Sequence, residues 1–517
     1  MNAAVSRGEQ HMHAQNGMAK LSPSLKTLLK ATRTLKTKGT LGDTVTNLAT
    51  DSRRVVPGSL FFALPGLRVD GNTFVEEAIG RGAVGIVTEK LRKGVCPVPV
   101  IQVENVRRAL AEIAAEFYGH PEQALRNCGV TGTNGKTTVT MLAQHLLSEE
   151  KPVGLIGTVR YDVGPRTFPA FRTTPEALDC FALLDQMRQS ACEQVMMEVS
   201  SHGIDQERIW GIPFETAVFT NLTQDHLDYH KDFESYYRAK AQLFHGVGAR
   251  APKISIINID DTWGERLARE VVPNTEVWSF GRHVEARFRI QIETLNAAGG
   301  VFVLHDTVSG DDLTVETSLL GEYNVYNLVA AILIAKSLGK SSEEILRRIE
   351  TLPDVPGRME RISSKEGVNV LVDYAHTDDA IHNALKMLRS ITEGKIHIVF
   401  GCGGDRDRTK RAKMVEAAEP LADTLVLTSD NPRSEPIEQI FSDMRSGLKT
   451  QDPARIKIIR DRREAISAAL RIAEKGDCVL VAGKGHENFQ EIEGALIPFD
   501  DRQVVKELIQ IHELRSV

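Results

Sequence analysis

The apolar positions of this chain fall mostly in short unbroken runs, not in alternation. Residues 127–131, 194–198, 216–220 and 253–259 are such runs, separated by stretches with helical spacing. A strand apolar at consecutive positions is buried on both faces, and helices between such strands imply a parallel sheet covered on both sides. The pattern recurs at 368–373, 396–401, 424–428 and 477–482, each run followed by a polar or glycine-rich loop. A helical stretch at 462–474 lies between the last two. This is a doubly wound α/β pattern, in which ligands bind beyond the carboxyl ends of the strands. Nearer the start, runs at 59–64 and 85–88 are broken by helical stretches such as 106–118.

A chain of 517 residues has room for more than one core, since domains average roughly 150 residues. We divide it into an extension at 1–20 and regions at 21–125, 126–352 and 353–517. The last boundary is the proline- and glycine-rich link Pro353-Asp-Val-Pro-Gly-Arg358, a composition found at domain borders. The expected fold class is α/β: a smaller N-terminal α/β domain, a central domain with a mostly parallel sheet, and a C-terminal Rossmann-like domain. Residues 1–20 are polar and read as a disordered extension, with His11 and His13 solvated. No apolar run reaches the ~18 residues that span a bilayer, and the start lacks the order of a secretory signal. A net charge of −6 argues against a nucleic-acid partner. The six cysteines are scattered without a C-x-x-C pair, as expected of reduced, mostly buried thiols in a cytoplasmic protein.

The most informative segment is Gly129-Val-Thr-Gly132-Thr133-Asn134-Gly135-Lys136-Thr137-Thr138, between an apolar run and a helical pattern at 138–147. A glycine-rich turn there aims backbone N–H groups and a helix N-terminus at one point, which attracts phosphate. Lys136 can reach terminal phosphates, and the Thr137 hydroxyl can ligate Mg²⁺. The match to the general P-loop is not literal: Val130 stands where that pattern has its first glycine.

One apolar run ends in Glu198-Val-Ser-Ser201-His202-Gly. A carboxylate at that strand end is placed to hold Mg²⁺ directly or through water, the alternative being a turn or capping carboxylate. Another run leads into Thr220-Asn-Leu-Thr-Gln-Asp225-His226-Leu-Asp228-Tyr-His230, a polar and histidine-rich cluster that is costly unless solvated or functional. Lys240 follows on a helical stretch, and spacing alone gives it no role.

These segments, with Gly321-x-x-Asn324-x-x-Asn327 and Asp373-Tyr-Ala-His376-Thr377, occur in the order found in the Mur ligases, which this chain resembles over roughly residues 51–493. The resemblance implies an ATP-dependent, amide-forming enzyme of peptidoglycan synthesis, cytoplasmic and monomeric, acting on small molecules. It implies a domain for a UDP-sugar, a central ATPase and a C-terminal domain that brings an amino acid. Gly132, Thr133, Asn134, Gly135, Lys136, Thr137 and Thr138 would hold the ATP phosphates. Asn327, Arg358, Asp373 and His376 would line the nucleotide. Thr137 and Glu198 would bind one Mg²⁺ and His226 a second. Lys240 matches a lysine that the family carbamylates, which turns a cation into an anion able to support Mg²⁺. His202 either orients the acceptor, takes a proton, or is structural.

Within the family, Asp430-Asn431-Pro432-Arg433 is similar to the signature of the form that adds meso-2,6-diaminopimelate, not L-lysine. The chemistry agrees, because that amino acid carries an extra carboxylate that a guanidinium can grip through two parallel bonds. Arg406 matches a second carboxylate contact, and Gly483 and Glu487 match contacts to the distal ammonium. Ser52, in Asp51-Ser52-Arg53, resembles the uridine end of the sugar-nucleotide site. Thr173, Thr174, Ser201, Gln206 and Arg208 would contact the peptidyl end or the diphosphate. Arg68 is assigned to the same substrate, in Gly66-Leu67-Arg68-Val69-Asp70-Gly71, which departs from the family's Gly-His-Gln-x-Asp-Gly. The alternatives are the L-lysine-adding form and a ligase of the folylpolyglutamate synthetase kind.

Overall fold

The computed structural model describes residues 22–42, 44–66, 69–91, 96–271, 273, 275–362, 367–450 and 452–515. The extension at 1–20 and Arg68 lie outside them. The chain forms two compact units. One runs to Arg287 and takes back Ala330–Lys340, and the other holds Phe288–Val329 and the chain from Ser341 onward.

The first unit has two sheets. The N-terminal sheet is ordered Thr34–Lys38, Val100–Val103, Ala83–Thr88, Ser59–Phe62, Asn47–Ala49. It is parallel except where Thr34–Lys38 runs antiparallel to its neighbour. The helix Val106–Tyr118 starts where the Asn105 side chain accepts from the N–H groups of Arg107 and Arg108, a capping bond that satisfies otherwise unpaired donors. It ends at Gly119 in the left-handed conformation. Its buried face, with Leu110, Ile113 and Ala114, joins the same core as Phe181, Leu183 and Leu184 of the helix Ala177–Gln189.

The second sheet of this unit positions the nucleotide loop. Its parallel strands are ordered Glu276–Gly281, Ile254–Asn258, Phe214–Phe219, Arg126–Thr131, Gln194–Glu198, Gly154–Ile156. Arg160–Asp162 and Thr167–Pro169 extend it antiparallel. Val130 pairs with Glu198 and Thr131 with Phe219. Register alone therefore brings the loop after Thr131, the Glu198 carboxylate and the loop after Phe219 to one level at the carboxyl ends of the strands, where such sheets bind ligands. Strand interiors such as Val195-Met196-Met197 are fully buried, as strands covered on both faces must be.

The second unit contains an antiparallel meander, Phe288–Asn296, Gly299–Asp306 and Asp312–Thr317. Its six-stranded sheet is ordered Glu360–Ile362, Asn369–Asp373, Cys478–Ala482, Ile396–Phe400, Thr424–Leu427, Ile456–Ile458. Only the first pair is antiparallel. The whole is the mixed α/β, mostly parallel architecture expected from the apolar runs. Below the strand ends, Arg462 and Asp501 form an ion pair at 2.7 Å with both side chains fully buried. Arg462 also donates to the carbonyls of Ser429 and Ala482, at 3.2 and 2.9 Å. Removing one partner of a buried pair leaves an uncompensated charge, at a cost of ~3–5 kcal/mol. Asp501→Asn should therefore lower the midpoint of urea unfolding markedly, and an unchanged midpoint would show that the pair contributes nothing net.

The six cysteines are free, and all but Cys96 are buried. Burial pushes the thiols of Cys128, Cys402 and Cys478 up to about 12, so they stay protonated and unreactive. Among the described residues no helix is long and apolar enough to cross a membrane.

Candidate active site

Gly135, at φ 88°, forms the N-cap of the helix Lys136–Leu147. That left-handed conformation is strained for a residue with a Cβ. Asn221 fixes the loop from the neighbouring strand end: its carbonyl accepts the Thr133 N–H and its side chain the Asn134 N–H, both at 2.9 Å. The Thr220 hydroxyl donates to the Asn134 carbonyl at 2.6 Å. Lys136 folds back so that its Nζ donates to the carbonyls of Gly132 and Thr133, each at 2.8 Å. Thr138 is buried behind them.

Glu198 is 1% exposed. Its carboxylate accepts the Thr137 and Thr158 hydroxyls at 2.9 Å each and the Thr158 N–H at 2.8 Å. A Cβ on Gly157 would stand 2.5 Å from Glu198 Oε1, so a side chain there would displace the carboxylate from this position. Among the described residues no cationic side chain pairs with Glu198. A buried carboxylate held only by neutral donors carries uncompensated negative charge. Hard oxygen donors of this kind, the Glu198 carboxylate with the Thr137 hydroxyl beside it, fit the chemistry of a divalent cation.

Lys240, on the helix Phe233–His245, is 1% exposed. Its Nζ donates to the Gly132 carbonyl at 2.7 Å, the carbonyl that Lys136 also uses. The Tyr236 ring lies 4.5 Å from the same nitrogen. Burial, then the nearby charge of Lys136, push the Lys240 ammonium well below the usual lysine range, and Asp225 only partly opposes them. A lysine in such surroundings favours its neutral, nucleophilic amine.

His202 lies at the start of the short helix Ser201–Asp205. Its ring meets His226 edge-on at 4.8 Å between centroids, and Tyr229 and His230 at 4.2 and 5.5 Å. His226 caps the next short helix with φ 54°, a left-handed conformation for a residue that is not glycine. Ser201 is buried and hydrogen-bonded to His230 at 2.9 Å. The Thr173 hydroxyl meets that of Thr158 at 3.0 Å. Thr174 donates to the Glu198 carbonyl at 2.8 Å, and its own carbonyl accepts from Arg208 at 2.8 Å. Arg208 also donates to Gln206 Oε1 at 2.7 Å. The structure thus gathers Thr173, Thr174, Ser201, His202, Gln206, Arg208 and His226 around the loop ends that carry Glu198. Ser52 is separate from that cluster, buried on a turn where its hydroxyl donates to Glu77 at 2.8 Å.

In the second unit, Asp373 ends its strand, accepting from the N–H groups of Met359 and Ala375 at 2.7 and 2.8 Å. Burial raises its carboxyl, with the Arg358 charge and these bonds opposing. The Arg358 guanidinium lies over the Tyr374 ring at 4.8 Å, and the His376 ring is 4.6 Å from Tyr374. Asn327 is buried on the helix Glu322–Ser337 and donates to Asn324 at 3.1 Å.

The Asp430–Arg433 loop is built in from two sides. Arg433 sits at φ 56°, and its N–H donates to the Glu491 carbonyl at 2.9 Å. Its Nη1 donates to the Gly404 carbonyl at 2.7 Å, and its Nε is 3.2 Å from Glu491 Oε2. Asn431 donates to Glu487 at 2.9 Å and accepts from the fully buried Lys484 at 3.0 Å. Pro432 is buried between them. A Cβ on Gly483 would come within 3.0 Å of Asp430 Oδ2. Arg406 is exposed on the adjacent loop after Ile396–Phe400.

Three family models match the chain: the Mur ligase family catalytic domain over residues 44–118, the Mur ligase middle domain over 130–335, and the Mur ligase glutamate ligase domain over 357–485. The chain belongs to the Mur ligase family. It is an amide-forming ligase that uses ATP. A UDP-N-acetylmuramoyl-L-alanyl-D-glutamate--2,6-diaminopimelate ligase from Solibacter usitatus is 42% identical over 467 residues, 90% of this chain and 94% of that protein. The protein of the same name from Streptomyces avermitilis is also 42% identical, over 475 residues, covering 90% and 92% of the two chains. A solved structure of a ligase with this name aligns at a TM-score of 0.64 with 36% identity, covering 91% of this chain and 96% of that one.

Several residues beside these side chains carry little signal in the sequence. Thr158 supplies two of the donors to Glu198, and its only sequence signal was the small pair Gly157-Thr158 after an apolar run. Lys484 lay inside the glycine-rich Gly483–Glu487 segment, but its burial against Asn431 and Glu487 follows from the fold. Glu491 carries no signal of its own, and Tyr374 lies inside Asp373-Tyr-Ala-His376-Thr377 with no role attached to it there.

Proposed function

We propose that this Mur ligase joins meso-2,6-diaminopimelate to the D-glutamyl γ-carboxylate of UDP-N-acetylmuramoyl-L-alanyl-D-glutamate, as a monomer in the cytoplasmic stage of peptidoglycan synthesis. The observation that carries the reading is the Asp430–Arg433 loop, in a chain 41–43% identical to ligases of that name. Two contacts hold the Arg433 guanidinium on its Nη1 and Nε side. Of its five donors, the remaining ones form a fork for a carboxylate, the group that distinguishes diaminopimelate from L-lysine. Glu487 and Asp430 supply negative charge for the distal ammonium, and Arg406 a second cation.

The γ-carboxylate attacks the γ-phosphorus of ATP, the bond to the ADP oxygen breaks, and an acyl phosphate forms. The amine of the amino acid attacks the acyl carbon and loses a proton, and the tetrahedral intermediate expels phosphate. Lys136 and the N–H groups of Gly132–Thr138 neutralise and orient the phosphates. Asn327, Arg358, Asp373 and His376 bind the rest of the nucleotide. Ser52, Thr173, Thr174, Ser201, Gln206 and Arg208 hold the sugar nucleotide and its peptide, with His202 beside the acceptor. Thr137 and Glu198 would hold one Mg²⁺ and His226 a second, with a carbamylated Lys240 in support. When bound, these ions supply neutralisation of phosphoryl charge. The sequence regions 21–125, 126–352 and 353–517 correspond in this reading to sugar-nucleotide, ATP and amino-acid domains.

The test is ligation with ATP, Mg²⁺ and the UDP-sugar dipeptide, offering meso-diaminopimelate and L-lysine separately. Product with diaminopimelate alone supports the proposal. Product with lysine alone keeps the ligase and overturns the reading of Asp430–Arg433, and no product with either overturns the substrate assignment. Arg433→Ala should raise the KM for diaminopimelate ~30- to 150-fold, the ~2–3 kcal/mol of a charge-assisted pair. Arg433→Lys should recover little of it, since a point charge cannot replace the fork.

A further inference from the structure

Glu176 stands at the N-cap of the helix Ala177–Gln189, yet its side chain makes no capping bond. Instead it faces three guanidinium groups. Arg208 Nε is 3.2 Å from Glu176 Oε1, Arg107 Nη1 is 3.3 Å from Oε2, and Arg172 donates to Oε1. Side-chain exposure grades from Arg208 at 11% through Arg107 at 22% to Arg172 at 47%. The cluster therefore has a floor and a mouth. Other carboxylates of the neighbourhood are engaged elsewhere: Glu207 with Arg108 and Asn105, and Asp205 with Tyr229. Three cations on one carboxylate leave positive charge in a half-buried place, an arrangement that costs stability unless an anion completes it. Arg208 shows the crowding, held below the usual arginine range by burial and by the charges of Arg172 and Arg107, with Glu176 opposing. The floor is joined to the reaction centre, since Arg208 donates to the Thr174 carbonyl and Thr174 to that of Glu198.

We infer that Arg107 and Arg172, together with Arg208, form a subsite for an oxyanion of the sugar-nucleotide substrate, with Glu176 holding the three guanidinium groups apart and oriented. Arg107 stands on the helix Val106–Tyr118 of the N-terminal sheet's own layer and also donates to the Pro65 carbonyl at 3.1 Å. It thus ties the N-terminal loop to the peptide end of the site. The inference rests on the function proposed above. Two groups of that substrate have the right chemistry, the α-carboxylate of the D-glutamyl residue and the diphosphate.

The experiment combines calorimetric binding of the UDP-sugar dipeptide with steady-state kinetics for Arg107→Ala, Arg172→Ala and Arg107→Lys. Each alanine variant should weaken binding and raise the KM for this substrate about tenfold or more. The KM values for ATP and the amino acid should stay within twofold, and Arg107→Lys should recover part of the loss. Unchanged affinity in both alanine variants, with wild-type thermal melts, overturns the inference. A general packing defect would instead raise all three KM values and would also overturn it. A substrate whose α-carboxyl is amidated separates the sources. If its penalty shrinks in Arg107→Ala, the carboxylate is the partner; if the penalty persists while inhibition by UDP weakens, the diphosphate is. Wild-type protein that fails to bind the UDP-sugar dipeptide at all would count against the proposed function, not the subsite.

Discussion

Lys136→Ala should lower the ligation rate by ~10²–10³-fold or more, the loss seen when one preorganised charge-stabilising donor is removed from a reacting centre. The Lys136 ammonium donates to the Gly132 and Thr133 carbonyls at 2.8 Å, which keeps it on the loop proposed to meet the terminal phosphates. Charge develops on the transferring phosphoryl group, and the protein's share of that step is positioning and neutralisation. The effect should therefore fall on kcat, with affinity for the sugar nucleotide unchanged. Lys136→Arg keeps the charge, but a planar guanidinium does not fit between two carbonyls of one tight turn, so that variant should be nearly as slow. Near-normal turnover by Lys136→Ala would sink the assignment of this loop to ATP.

How much of this site was legible before folding depends on how local each part is. The phosphate loop is local: ten consecutive residues carry the glycines, the lysine and the threonines. Apolar spacing marks the helix from 138, but it begins at Lys136 because Gly135 in the left-handed conformation already serves as its N-cap. Strands buried on both faces were equally plain. The apolar run at 194–198 coincides with the strand Gln194–Glu198, and those at 253–259 and 477–482 match Ile254–Asn258 and Cys478–Ala482 within one residue at either end. The first and last strands of the meander leave no such runs. In Asp312–Thr317 only alternate positions are buried, and the polar residues between them hide a strand from a search for unbroken apolar runs. Arg160–Asp162 and Thr167–Pro169 are too short for any period to show.

Long-range partners were out of reach for a different reason. Arg107 and Glu176 are 69 positions apart, and Lys240 and Gly132 are 108 apart. Nothing in the local pattern around Glu176 distinguishes a helix cap from a carboxylate facing three arginines. The resemblance to the family marks Lys240, whereas its burial and the neighbouring Lys136 charge explain physically why its ammonium is held below the usual lysine range.

That explanation gives the second large effect. Lys240→Ala should be almost inactive, with kcat down ~10²–10³-fold, because an alanine removes the anion that the carbamate would place beside the metal site. The neutral amine attacks the carbon of CO₂, one C=O bond becomes C–O⁻, and the nitrogen gives up a proton. Burial and the neighbouring Lys136 charge favour that neutral amine, and Gly132 O orients it at 2.7 Å. A short carboxylate such as acetate or propionate should diffuse into the space left by the side chain and restore part of the rate to Lys240→Ala but none to Lys136→Ala. Wild-type protein equilibrated with ¹³C-bicarbonate should show a carbamate carbon resonance that Lys240→Ala lacks. Loss of activity without carboxylate rescue and without that resonance in the wild type would leave Lys240 as a buried structural amine. Full activity in the alanine variant would remove it from the mechanism altogether.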